Sequence, residues 1–308
     1  MSTPLSILFW IVVIPGTVAL GLIASWIVRK VSALVQWRVG PPLFQPAYDI
    51  MKLMGKEILI PQEAQQTVFL AAPLVGLAGI LLLSIMLLRI GLAGDPKFIG
   101  DIIVAIYLMV LPSLALIFGS SASASPHAAV GTSREMKLVM GYELSLVLAF
   151  IVVIIKTGGQ LNLAAIAEHT PVLSVSGLLA FLVALLCVQA KLGFVPFDMA
   201  EAETEIGSGI FMEYSGALLA VWKLSQAIML VALPLFLVVV FLGGFGASLW
   251  PGLVKYVVVL VLLILIKNTN PRVRIDQAMK FFWFYCGIAL ALAVILATIG
   301  NYCGIGWL

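Results

Sequence analysis

The sequence predicts an all-α, polytopic integral membrane protein with about eight transmembrane helices. Of its 308 residues, 63% are hydrophobic and only 10% are charged, a balance outside the range of soluble domains. Mean hydropathy is +1.18, and the uncharged runs approach or exceed the roughly 20 residues that a helix needs to cross a hydrocarbon core of about 30 Å. Alternation of apolar and polar positions, the mark of a membrane barrel, is missing from the sequence. The spans are therefore expected to be helices whose backbone groups bond internally.

The first span is predicted over 5–28, closed by Arg29 and Lys30. Met1, Ser2 and Thr3 supply no base ahead of it, so it reads as a retained span and not as a cleaved signal. Further spans are predicted near 68–88, 101–119, 138–155, 174–190, 217–242, 251–266 and 281–299, making one membrane domain over 1–308. Lys255 interrupts the seventh and is expected to snorkel towards the outer surface.

Lys and Arg residues set the orientation. The loops at 29–66, 120–137, 191–216 and 267–280 hold twelve: Arg29, Lys30, Arg38, Lys52, Lys56, Arg134, Lys137, Lys191, Lys267, Arg272, Arg274 and Lys280. The other side holds four, Arg89, Lys97, Lys156 and Lys255, with Lys223 inside the sixth span. Twelve against four places those loops in the cytoplasm and both termini outside; the membrane expected is the plasma membrane of a prokaryote.

The four cytoplasmic loops differ in character. In 29–66, Pro41, Pro42 and Pro46 interrupt regular structure, after which Tyr48, Met51, Leu53 and Met54 recur at helical spacing with Asp49, Lys52 and Lys56 on the wetter side. This pattern suits an amphipathic helix at the interface, with an ordinary polar loop as the alternative. Loop 120–137 is rich in small residues that permit close backbone packing. It leads through Arg134 and Glu135 to Glu143 inside the fourth span. Glu143 and Lys223 enter their spans to similar depth, which suggests a contact between them, the alternative being that each snorkels separately. In 267–280, Pro271, Val273 and Ile275 alternate with Arg272, Arg274 and Asp276, as if facing two surroundings.

Loop 191–216 is the densest in acid. Asp198, Glu201, Glu203, Glu205 and Glu213 are five of the chain's fourteen carboxylates. Were 198–205 helical, Asp198, Glu201 and Glu205 would share one face and repel one another, with Glu203 turned away. The same Asp198-x-x-Glu201 spacing also suits a capping box after Pro196.

Other chemistry is poorly supported. Cys187, Cys286 and Cys303 have no metal-type spacing and His127 and His169 lie far apart, so no metal set is expected on this chain. The net charge of +3 and the scattered bases give nucleic-acid binding no support.

Three motifs together resemble one family: Arg38-Val39-Gly40-Pro41; Pro196-Phe197-Asp198 with Ala200-Glu201-Ala202-Glu203 and Glu213-Tyr214-Ser215-Gly216; and Pro271-Arg272-x-Arg274-x-Asp276-Gln277. They resemble the eight-helix membrane subunit at the foot of the peripheral arm in respiratory complex I and in multisubunit membrane-bound hydrogenases. The motifs span residues 38 to 277, in the family's order. The resemblance implies that the subunit anchors a redox arm, and that Asp198, Glu201, Glu203, Glu205 and Glu213, extended to Glu143 and Arg134, serve an ion pathway, to which the depth of Lys223 in its span adds that lysine. Arg38, Arg134, Glu135, Arg272, Arg274 and Asp276 would dock partners or balance charge.

The run Arg38 to Leu53 lacks the insert that complex I members carry, and in this it is similar to the hydrogenase-type branch. Quinone binding is therefore not assigned. The implied partners are a hydrogenase-like large subunit and an iron–sulfur small subunit carrying the [NiFe] and iron–sulfur centres, together with antiporter-like membrane subunits. The expected function is to join a ferredoxin-linked, hydrogenase-like arm to proton or sodium translocation, without bond chemistry on this chain. The alternatives are a quinone- or sulfur-reducing complex and a stand-alone secondary transporter.

Overall fold

The computed structural model describes residues 3–93, 101–246 and 249–308, without the side chains of 3–12, 91–93, 203 and 204. The described residues form α1 (Thr3–Val35), α2 (Gln45–Met54), α3 (Gln66–Ala93), α4 (Ile102–Ser121), α5 (Pro126–Lys156), α6 (Leu163–Ile166), α7 (Val175–Lys191), α8 (Glu203–Ile206), α9 (Gly216–Phe241), α10 (Leu249–Thr269), α11 (Ile275–Lys280) and α12 (Gly287–Cys303). A π-helical turn, Phe281–Cys286, joins α11 to α12. No strand occurs among them. Among the described residues seven helices are long and apolar enough to cross a membrane; an eighth span results if 163–173 and α7, bent by 107° to one another, are taken together.

Helix α9 is the centre of the bundle. Its residues from Ala227 to Phe241 are buried throughout, so this apolar helix is surrounded by protein and not by lipid. Helices α1, α3 and α10 pack against it, while α5, α7 and α12 form a second group beside it. Helices α1, α10 and α12 leave much of their apolar surface exposed, as lipid-facing spans do.

Helical structure also enters two of the connections between the predicted spans. Residues 45–54 form α2, where the apolar spacing around Tyr48 and Met51 suits an amphipathic helix, entered through Pro46, whose missing N–H costs nothing in a first turn. More consequentially, α5 begins at Pro126, so most of the predicted loop 120–137 lies within the helix. The small residues there support a close approach. A Cβ on Gly131 would lie 2.9 Å from the Ile210 amide nitrogen and 3.2 Å from the Ala200 carbonyl oxygen. Thr132 donates to Ala128 O and to Ser120 Oγ at 2.8 and 3.0 Å, so its hydroxyl is satisfied although buried. This packing brings the acidic loop against α5.

Lys255 is held by donating to Leu242 O and Gly244 O, at 2.6 and 3.1 Å. It thus satisfies carbonyls at the C-terminal end of α9 that have no intrahelical partner.

Candidate ion-coupling site

A chamber of about 330 Å³ opens on the side of the bundle that carries the acidic loop. Arg29 comes from α1, Asp49 from α2, Glu135 from α5, Lys191 from the end of α7, Lys223 from α9 and Lys267 from α10; Asp198 and Glu201 come from the connection after α7. Four cations and four carboxylates thus share the wall, and their formal charges cancel.

Neither a single helical face of acids over 198–205 nor a capping box from Asp198 to Glu201 forms. Residues 198–202 run as turns and only Glu203–Ile206 is helical, so Asp198, Glu201 and Glu205 each find a separate partner. Asp198 accepts from Arg272 Nε at 2.8 Å and lies 2.6 Å from Arg272 Nη2. Glu205 accepts from Arg134 Nη1 at 2.7 Å, and the same nitrogen also donates to Met199 O at 3.3 Å. Glu201 accepts from Gln226 Nε2 at 2.8 Å. Separate partners relieve the repulsion that one shared face would have imposed. The side chain of Glu203 lies outside the described residues. Glu213 is half-buried beside Tyr214 and does not line the chamber.

The expected contact between Glu143 and Lys223 is also replaced. Glu143 pairs with Lys191, whose side chain is fully buried. Lys191 also donates to Met109 O at 3.2 Å and lies 5.1 Å from the centre of the Tyr142 ring. Lys223 bonds Gln226 at 3.1 Å and sits over the Phe211 ring. The physical reason lies in helix direction. Side chains tilt towards the N-terminus of their own helix, so a lysine on the last residue of α7 reaches back into the bundle. Lys223, near the start of α9, tilts towards the chamber mouth.

Several further groups of the site carry no role on sequence grounds. Lys267 lies 4.3 Å from the centre of the Phe194 ring. Arg29 donates to Asp49 Oδ2 at 2.7 Å, and Gln45 to Asp49 Oδ1 at 2.9 Å. The Arg29 hydrogen bond holds the Asp49 carboxyl below its ordinary range, with burial opposing. Tyr142 OH lies 3.2 Å from Ser113 Oγ, tying α5 to α4 beside the buried pair. The signal available for Lys191 and Lys267 is that each closes an apolar run, where helix continuation decides whether the base turns inward.

Of the expected docking residues, Arg38, Arg274 and Asp276 are exposed, the last two 3.3 Å apart. Arg134 and Arg272 instead tie the acidic loop down. Glu135, expected to dock a partner or balance charge, is buried in the chamber wall. Among the described residues no three His, Cys, Asp or Glu side chains converge as a metal set.

Burial in the wall pushes the Glu201 carboxyl up, aided by Asp198 and opposed by Lys223, the Gln226 hydrogen bond and Lys267. A raised carboxyl binds more protons folded than unfolded. Its contribution therefore favours the fold at low pH, and that advantage is lost as pH rises from the ordinary carboxylate range through the raised value. Infrared difference titration should show a protonated carboxyl persisting above the ordinary glutamate range, and Glu201→Gln should remove that band and flatten stability over the same interval. A band unchanged by Glu201→Gln would overturn the assignment.

Taken together, the bundle and its chamber define a polytopic helical membrane protein that carries ionisable groups from a surface loop into its interior. The sequence profile of the family described as NADH dehydrogenase matches residues 7–299. The chain is 35% identical over 291 residues to a subunit of the NADH-quinone oxidoreductase of Syntrophotalea carbinolica, covering 88% of each chain. It is 33% identical over 306 residues to the equivalently named subunit from Thermomicrobium roseum, covering 86% of this chain and 87% of that one. A solved structure of the membrane-bound sulfane sulfur reductase, an archaeal respiratory membrane complex, contains a similar chain. That match has a TM-score of 0.86 and 29% identity, covering 94% of this chain and 99% of the other. The protein belongs to the NADH dehydrogenase family of membrane subunits of complex I-like respiratory assemblies.

Proposed function

We propose that this chain anchors a ferredoxin-linked, hydrogenase-like redox arm on a prokaryotic plasma membrane and couples its electron transfer to proton or sodium movement. The observation that carries the reading is the Lys191–Glu143 pair, set behind a charged chamber that begins at the acidic loop. Ionisable groups buried in a span are expensive and mark ion pathways. A redox event in a docked arm changes the local field, and Glu201, with its carboxyl already raised, is poised to take up a proton in response. Glu135 and Lys191, on the same wall, carry that change of charge inward to Glu143. The pathway includes Asp198 and Lys223 in the chamber wall and Glu203, Glu205 and Glu213 of the acidic loop beside it, and Arg38, Arg274 and Asp276 offer docking charges. The [NiFe] and iron–sulfur centres belong to the large and small partner subunits, and antiporter-like subunits lie beside this one in the membrane.

A second reading is favoured by the chamber's apolar wall. Leu22 and Val28 of α1 and Ile50 and Leu53 of α2 line it alongside the acids, and its volume lies in the range of small-molecule sites. A quinone-reducing or sulfur-reducing complex would use such a wall.

Purifying the intact complex through a tag on this chain separates these readings. The expected result is co-purification of nickel and iron–sulfur partners with hydrogen evolution from reduced ferredoxin. Reduction of quinone or of a sulfur compound without hydrogen evolution would replace the hydrogenase arm by the second reading. A chain that purifies with no redox partner would overturn both.

A further inference from the structure

A second concavity, of about 430 Å³, lies at the opposite end of α5 and α7 from the chamber. Its walls include Lys156 from the last residue of α5, His169, Thr170, Leu173 and Ser174 from the connection into α7, and Trp307. Lys156 is partly buried and has no carboxylate within ion-pair distance among the described residues. A desolvated cation without a counter-ion is unfavourable, and an anion in the concavity would relieve it. His169 offers a second donor at the same rim.

Trp307 is held in place by its backbone. The Val175 amide donates to Trp307 O at 2.9 Å and the Ser176 amide to Leu308 O at 3.2 Å. The indole nevertheless remains 65% exposed, and the neighbouring Leu173 is 80% exposed. An exposed Trp beside a basic residue at the end of a span marks the level of lipid headgroups. From there Val175, Leu178 and Leu182 run along one exposed face of α7, at the i, i+3 and i+7 spacing of a single apolar stripe.

A basic recess, an interfacial indole and an apolar stripe leading away from both together match an anion joined to hydrocarbon chains. We propose that this concavity binds an anionic phospholipid from the leaflet away from the acidic loop. Its phosphate lies against Lys156 and His169, its ester level against Trp307 and its chains along α7. Charge-assisted hydrogen bonds to phosphate supply the specificity, and the exposed stripe supplies the apolar contact. The site is independent of the arm's identity and of the ion pathway.

The test uses the whole complex, delipidated in mild detergent and titrated with phosphatidylglycerol. Retained lipid is read by native mass spectrometry, and a photoactivatable phosphatidylglycerol reports where it binds. Cross-links are expected on the peptides around 169–178 and at Trp307. Lys156→Gln should weaken retention roughly tenfold, the equivalent of about 1.4 kcal/mol. Lys156→Arg should retain the lipid and so shows that charge, not folding, is responsible. Equal retention by Lys156→Gln and the wild type, or cross-links elsewhere only, would overturn the proposal. Displacement by millimolar inorganic phosphate would show a free-anion site and overturn the lipid assignment.

Discussion

Replacing Lys191 by glutamine is expected to cost about 3 kcal/mol of stability and at least a tenfold loss of ion translocation. Removing one member of a buried pair leaves the other without compensation, typically at about 3–5 kcal/mol. The lower end applies here because the Glu143 side chain keeps 18% exposure while that of Lys191 has none. Glu143→Gln should lose translocation to a similar extent. Combining Glu143→Gln with Lys191→Gln removes both charges, so the double variant should regain most of the stability while translocation stays low. Thermal unfolding of the detergent-solubilised complex and ion uptake by proteoliposomes measure the two effects separately, and a double-mutant cycle isolates the pair. Wild-type translocation in either single variant would remove the pair from the pathway.

Replacing Arg272 is expected to release the acidic loop. Arg272 grips Asp198 through two nitrogens, and across the same junction the Val273 amide donates to Pro196 O at 3.2 Å. Among the described residues Asp198 Oδ1 is buried without a hydrogen-bond partner, so the carboxylate depends heavily on Oδ2. Hydrogen bonds to charged groups contribute about 1.5–3 kcal/mol. With the Arg272 side chain 37% exposed, solvent screening reduces this to about 1–2 kcal/mol. Arg272→Gln should therefore speed hydrogen exchange over 196–202 about tenfold and lower coupled turnover. Arg272→Lys should restore only part, since an ammonium cannot reproduce the forked contact. Unchanged exchange in Arg272→Gln would show that the loop is held by other means.

How far the site is legible in the sequence depends on the range of the interactions that build it. The carboxylates of the acidic loop stand out because five acids fall within a mostly apolar chain. Glu143 stands out because an acid inside an uncharged run demands a partner. The identity of that partner does not stand out. Lys191 and Lys223 both lie near the ends of apolar runs, and the choice between them depends on helix direction and on α5 starting at Pro126. A loop over 120–137 would place Glu143 one and a half turns from the surface, whereas in the structure it lies seventeen residues into a helix. A small residue such as Gly131 suits a loop equally well, because its helical use depends on neighbours distant in sequence that it packs against, Ile210 and Ala200.

The sequence by itself determined the fold class, the helical character of the spans and the set of ionisable residues available to the site. These follow from local quantities, since hydrocarbon length, hydropathy and internal backbone bonding act within one segment. Only the tertiary structure decided which charges meet. Asp198 with Arg272, Glu205 with Arg134 and Glu143 with Lys191 are separated by 74, 71 and 48 positions. A few ångströms of reach select each pair, and helix packing sets that reach.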